Sequence, residues 1–235
     1  MDSFSAPAAL PDPEALSAPS DISGDLYLDV TDFAHSTPHW FQQLAEAWTE
    51  LGLLLFGALF VAGWWRARSG SGELMALALL APLATAFGYV VSESLKSLVD
   101  EERPCRAVAA AAASLVPCPP TGDWSFPSNH AAIAGAGAVA LALSWRGLGL
   151  LTLPMALLMA LSRVFVGVHY PHDVTVGLLL GGAIAWVIVK AATRPVRVLV
   201  DSARKSRTGA VVWCVGPGPR PHASTRPEGV RHGAH

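Results

Sequence analysis

Ser162-Arg163-Val164-Phe165-Val166-Gly167-Val168-His169-Tyr170-Pro171-His172-Asp173 joins two long apolar runs, one beginning near Leu148 and the other reaching Ala192. Its reading decides the fold. Ionisable groups beside lipid are costly to place and by default mark a site. A merely polar connecting loop has no need of Arg, His and Asp together.

The composition around this stretch belongs to a membrane protein. Of 235 residues, 52% are hydrophobic and only 14% charged, where a soluble domain carries about 25% charge. The net charge of -2 hides an asymmetry. No Lys or Arg precedes Arg66, whereas Arg194, Arg197, Arg204, Lys205, Arg207, Arg220, Arg226 and Arg231 crowd the end. No folded basic module accompanies that tail, so nucleic acid is not an expected partner. No basic segment followed by an apolar one opens the chain, so insertion is expected to rest on internal spans.

The expected fold is all-α, a polytopic bundle of about five transmembrane helices. Residues 1–38, rich in Pro, Ala, Ser and Asp, read as a flexible acidic tail. A membrane domain follows over 39–193, with an interfacial lead-in helix from His39 to Glu50. Its spans run from about Leu51 to Trp65, Glu73 to Val99 (with Pro82 as a possible kink), Ser128 to Trp145, Leu148 to Val168, and Pro171 to Ala192. Ala107 to Ala113 is a candidate short helix. Residues 194–235 read as a basic, disordered tail.

Arg66 and Arg68, Arg146 and the C-terminal tail all fall on one side of a five-span bundle, and the positive-inside rule makes that side cytoplasmic. The N-terminus, the loop from Asp100 to Asp123 and the junction from His169 to Asp173 are then extracytoplasmic. Cys105 and Cys118 in that loop are a candidate disulfide, worth about 3 kcal/mol if formed, with two unpaired thiols as the alternative. The three cysteines have no zinc-site spacing.

Three clusters gather on the outer side. Lys96 and Arg103, seven residues apart at the end of the second span, aim two cations at one place; snorkelling of ordinary basic residues is the alternative. Pro104 disfavours a helical Arg103, so the last turn is expected to unwind. Ser128 stands where an N-cap belongs, ahead of Asn129 and His130, and a helix start is a ready anion site. A plain cap with an interfacial histidine is the alternative there. In the opening stretch Asp173 is close enough to hold one ring nitrogen of His169 and leave the other free to attack, while Arg163 offers a fork for phosphate oxygens. Phosphoryl transfer needs this combination of cations, nucleophile, acid and orienter.

Lys96-x6-Arg103-Pro104, Pro127-Ser128-Asn129-His130 and Ser162-Arg163-x5-His169-x3-Asp173 resemble the three signature motifs of the type-2 phosphatidic-acid phosphatase superfamily, which holds lipid phosphatases and vanadium haloperoxidases. The resemblance implies that His169 is the nucleophile, that Asp173 orients it and that His130 protonates the leaving group. It implies that Lys96, Arg103, Ser128, Asn129 and Arg163 hold the phosphoryl oxygens, with no metal and no cofactor. Many members carry glycine where Asn129 stands, which implies altered substrate contacts. Outside the motifs, Glu93 is expected to pair with Lys96 and His172 to be an exposed supporting residue.

Soluble haloperoxidases fit a chain of membrane spans poorly. The small size and outward site are similar to bacterial undecaprenyl-diphosphate phosphatases, which implies a lipid phosphate substrate held among bilayer lipids. Phosphatidate, phosphatidylglycerol phosphate and polyprenyl-phosphate-sugar phosphate are the alternative substrates. A non-enzymatic transporter or scaffold would place its charges in mid-span, whereas these charges gather at one end.

Overall fold

The structure, a computed structural model, describes residues 20–108, 111–206 and 208–219, and forms no strand among them. Its helices are α1 (Ser20–Ser36), α2 (His39–Ala67), α3 (Gly72–Val99), α4 (Pro104–Ala107), α5 (Asn129–Ser144), α6 (Gly149–Phe165), α7 (Pro171–Lys205) and α8 (Gly209–Val215). A single 3-10 turn, Arg146–Leu148, joins α5 to α6. Helices α2, α3, α6 with its leading turn, and α7 are long and apolar enough to cross a bilayer, and α5 is a shorter apolar helix of 16 residues. Leu54, Leu83, Leu150 and Leu179 lie open on the outside of the bundle, as expected where the solvent is lipid. The result is an all-α polytopic membrane bundle.

The small residues of α5 put it at the centre. Ala131, Ala132, Ala134, Ala136, Ala138 and Ala140 are all buried, packed among α3, α6 and α7. A methyl group on Gly135 would overlap the Leu178 carbonyl of α7, and one on Gly181 would overlap the Ala132 carbonyl of α5. Glycine at these two places lets the backbones touch, the close packing that small residues permit between membrane helices. The start of α5 is thereby seated against the start of α7, where the Ser128 N–H donates to the Asp173 carbonyl at 3.1 Å.

The ends of the chain differ from the sequence expectation. Within the segment read as a flexible tail, residues 20–36 form α1, and Tyr27 is fully buried against Ala131, Ala160, Val164 and Val174. Tertiary contact orders a segment whose own composition favours no structure; residues 1–19 lie outside the described residues. The lead-in segment and first span are one helix, α2. At the other end α7 runs on to Lys205, and α8 packs beneath it. The Trp64 indole N–H donates to the Cys214 carbonyl at 2.8 Å, and Arg204 reaches the Val215 and Gly70 carbonyls. The disordered reading fails for these residues, and 220–235 lie outside the described ones.

In the loop between α3 and α5 the short helix is Pro104–Ala107 rather than Ala107 to Ala113, because Pro104 suits a first helical turn; residues 109–110 lie outside the described residues. Cys105 and Cys118 are joined in a disulfide with Cα atoms 6.0 Å apart, and Cys214 is a free, exposed thiol.

Candidate active site

Helix α3 stops at Asp100, whose φ of 50° places it in the left-handed region that ends helices. Lys96 is thus in the final turn and Arg103 lies beyond it in extended backbone ahead of Pro104. The helix unwinds as Pro104 predicts, and both cations still converge. They are 5% and 3% exposed, which demands a counter-charge. Asp123 supplies it: its Oδ1 accepts from Lys96 Nζ at 2.9 Å and from an Arg103 terminal nitrogen at 2.8 Å. The Asp123 main-chain oxygen accepts from Arg103 Nε at 2.7 Å. The expected Glu93–Lys96 pair does not form; Glu93 instead accepts from the Asn129 side-chain amide.

Ser128 caps α5, its hydroxyl facing the Ala131 N–H at 3.5 Å. The first-turn N–H groups of Asn129 and His130 have no carbonyl partner within the helix. The Asn129 side chain is engaged on α3, where Oδ1 accepts from the Ser92 hydroxyl at 2.7 Å as its amide meets Glu93. Among the atoms of Asn129, its backbone N–H is therefore the group left for an anion. His130 lies within electrostatic reach of Arg163, His169, Lys96 and Arg103.

Helix α6 ends around Phe165, and Gly167, with φ of 85°, turns the chain toward His169. His169 is 1% exposed. Its Nδ1 lies 3.2 Å from Asp173 Oδ2, and a carboxylate can only accept, so Nδ1 carries the proton and Nε2 keeps its lone pair. Nε2 faces an Arg103 terminal nitrogen at 3.1 Å. Burial pushes the His169 imidazole down to about 4, outweighing the upward pull of Asp173. The neutral ring is the form that can attack. Asp123 is held below the usual carboxylate range: burial alone would raise it, but the bonds from Lys96 and Arg103 outweigh that.

Asp173 is fixed from several sides. Its Oδ2 accepts from the Tyr170 N–H at 2.8 Å and from the Ser125 hydroxyl, as well as meeting His169. Its Oδ1 is buried without a hydrogen bond, 3.1 Å from His172 Nε2. Arg163 is 6% exposed in the last turn of α6. It makes one long contact, 3.5 Å to the Thr49 hydroxyl of α2, and its buried Nε has no partner. Such an orphaned donor is costly unless a ligand completes it.

The residues 77–197, just over half of the chain, match the family model described as the PAP2 superfamily. The chain belongs to the PAP2 superfamily. The matched segment of this PAP2 protein takes in all three clusters, from α3 to α7. It is 44% identical over 77 residues to an undecaprenyl-diphosphatase of Sulfolobus acidocaldarius, covering 32% of this chain and 37% of that one. It is 36% identical over 112 residues to a decaprenylphosphoryl-5-phosphoribose phosphatase of Mycobacterium tuberculosis, covering 47% of this chain and 58% of the relative. Its fold matches a crystal structure described as a transmembrane PAP2 type phosphatidylglycerolphosphate phosphatase from Bacillus subtilis. That match has a TM-score of 0.56 and 21% identity, over 77% of this chain and 90% of the other.

The structure of this PAP2 chain thus brings Lys96, Arg103, Ser128, His130, Arg163, His169 and Asp173 to one end of the bundle, with the Asn129 side chain turned away. Sequence reasoning missed Asp123 and Ser125, although both lie within five residues of Ser128. It missed Thr49 and Tyr27, which carry no local signal. His172 is better connected than an exposed supporting residue: Nε2 reaches both Glu101 oxygens at 3.0 and 3.1 Å, and Nδ1 reaches the Ser23 hydroxyl at 2.7 Å.

Proposed function

We propose that this chain hydrolyses a polyprenyl diphosphate at the outer face of the cytoplasmic membrane, through a phosphohistidine on His169. One observation carries the reading. A neutral histidine whose unprotonated Nε2 is met only by an Arg103 N–H stands beside buried cations, one of which, Arg163, has a buried Nε with no partner. A phosphoryl group is the ligand that gives both an electrophile for the lone pair and an acceptor for the orphaned donor.

In this mechanism His169 Nε2 attacks the terminal phosphorus. The N–P bond forms as the P–O bond to the lipid phosphate breaks, and His130 gives its proton to the departing oxygen. Asp173 holds the Nδ1 proton and stabilises the charge that grows on the ring. Lys96, Arg103, Arg163, the Ser128 hydroxyl and the backbone N–H groups of Asn129 and His130 stabilise the equatorial oxygens. Water then loses a proton to His130 and attacks the phosphohistidine, which releases inorganic phosphate and restores His169. The stabilising charge comes from side chains, so the mechanism as written needs no metal.

The undecaprenyl-diphosphatase and the decaprenylphosphoryl-5-phosphoribose phosphatase relatives are both named for polyprenyl phosphates, which supports that class of substrate, although relatives of 40% and 41% identity over shorter stretches are named lipid A 1-phosphatases. A site at the end of a membrane bundle lets such a lipid keep its chain in the bilayer. The outward orientation rests on Arg66, Arg68, Arg146, Arg194, Arg197 and Arg204, all remote from the site in the five-helix order. The mycobacterial relative favours a polyprenylphosphoryl-sugar phosphate as the second reading.

The test is phosphate release by purified protein, with and without chelator, from polyprenyl diphosphate, decaprenylphosphoryl-5-phosphoribose, phosphatidate and phosphatidylglycerol phosphate. Release from the first, unaffected by chelator and abolished in His169→Ala, is expected. Equal release by His169→Ala would overturn the mechanism.

A further inference from the structure

The buried cations of the phosphoryl site are already occupied by a carboxylate. Asp123 Oδ1 bridges Lys96 and Arg103 at 2.9 and 2.8 Å, and Asp123 also lies within electrostatic reach of Arg163. Arg103 is divided among three partners: Nε and one terminal nitrogen hold Asp123, while the other terminal nitrogen donates to the Val168 carbonyl at 3.1 Å and faces His169 Nε2. Lys96 and Arg103 are nearly inaccessible, whereas the Asp123 side chain is 43% exposed. An anion arriving from the membrane surface therefore meets the carboxylate before it meets the cations.

The backbone here is anchored, the Asp123 carbonyl by Arg103 Nε and the Ser125 N–H on the Glu101 carbonyl at 2.7 Å, so only the side chain of Asp123 has to move. The Asp123 N–H donates to the Pro120 carbonyl at 3.1 Å, closing a tight turn. Gly122, with φ of 89°, has no atom packed where a side chain would stand. No packed core has to open for the side chain to leave.

We propose that Asp123 is a built-in substrate mimic that fills the anion site and admits only groups carrying more charge than itself. The inference rests on the phosphoryl-site reading above. Exchanging one monoanionic carboxylate for a phosphomonoester or a diphosphate gains attraction to three cations. Exchanging it for a phosphodiester gains none, because a diester also carries a single charge. The surrounding bilayer is made largely of phosphodiester headgroups, so this exchange would keep the site clear of the lipids it must ignore. Asp123 is then a specificity-determining residue, acting by competition.

The experiment measures direct binding of inorganic phosphate and of dimethyl phosphate to the purified full chain by calorimetry, in the parent protein, Asp123→Asn and Asp123→Ala. Loss of a competing charge-assisted bond predicts about tenfold tighter phosphate binding in both variants. Dimethyl phosphate, undetectable in the parent, should bind both, so that the preference for charge narrows. Unchanged or weaker phosphate binding would overturn the proposal and make Asp123 a scaffold for Lys96 and Arg103. Loss of a cooperative unfolding transition in both variants would do the same. Binding is read without turnover, so the outcome is separate from the lipid panel. Tighter phosphate binding beside a failed panel would remove the phosphatase reading and keep the anion exchange.

Discussion

At the scale of single residues, the site is a contest between burial and charge. His169 is kept neutral by burial even though Asp173 favours its charged form. Its pKa in the fold is about 4, below an ordinary value near 6.5, so between those values the unfolded chain binds more protons than the folded one. The contribution is fully present above about pH 6.5 and is lost as pH falls toward 4, with a slope of at most about 1.4 kcal/mol per pH unit. Thermal unfolding of the parent and His169→Gln between pH 4.5 and 7.5 should show a shallower acid slope in the variant; parallel curves would contradict it. The residues that make this contest were unevenly legible. Lys96, Arg103, Arg163, His169 and Asp173 stood out because charge beside apolar runs is costly. Asp123 did not, since a carboxylate in a polar loop is ordinary until its partners are known. Glu93 misled because Lys96, three residues on, offered a ready helical partner, while Asn129 reached it from another helix.

At the scale of elements, the loop that carries His169 is held by neighbours distant in sequence. The Val166 carbonyl accepts from the Leu115 N–H at 3.0 Å, and the Gly167 carbonyl accepts from the Tyr27 hydroxyl at 3.0 Å. Tyr27 also packs on Tyr170, with ring centroids 5.7 Å apart. Helix α1 thus holds the loop that carries His169, and in the proposed mechanism it would act through that loop rather than through the substrate. Tyr27→Phe keeps the ring and removes the bond, worth about 1 kcal/mol, so kcat should fall about fivefold while KM hardly moves. A lower melting temperature with kcat intact would make Tyr27 merely structural. This element was hidden in the sequence because Asp25, Asp29 and Asp32 gave it the composition of a solvated tail. Its anchor, one buried tyrosine, has meaning only once its partner loop is in place. By contrast α5 was legible, since Ser128 is a sound cap and the Ala/Gly run that follows invites close packing.

At the scale of the whole molecule, five apolar helices and one charged end were readable from hydropathy and the placement of arginine. The extents of α2 and α7 were not, because both helices continue past their apolar cores into polar turns where hydropathy gives no signal. Helix α5 stands apart in length. Its 16 residues, at about 1.5 Å each, make about 24 Å, less than a hydrocarbon core about 30 Å thick. In the orientation proposed above, with the turn at Arg146 at the inner surface, Ser128 and His130 would lie several ångströms below the outer one. The proposed phosphoryl site would then be sunk beneath the headgroup plane, and its substrate would have to dip into the membrane to react. Turnover should depend on bilayer thickness: reconstitution in phosphatidylcholines of increasing acyl length should lower kcat/KM as the outer surface rises away from α5, and a flat profile would refute it. Depth then becomes a selective variable beside charge. The cost of bringing a charged phosphate to that depth would have to be met by Lys96, Arg103 and Arg163, so a group of higher charge, which they attract more strongly, would reach it more readily.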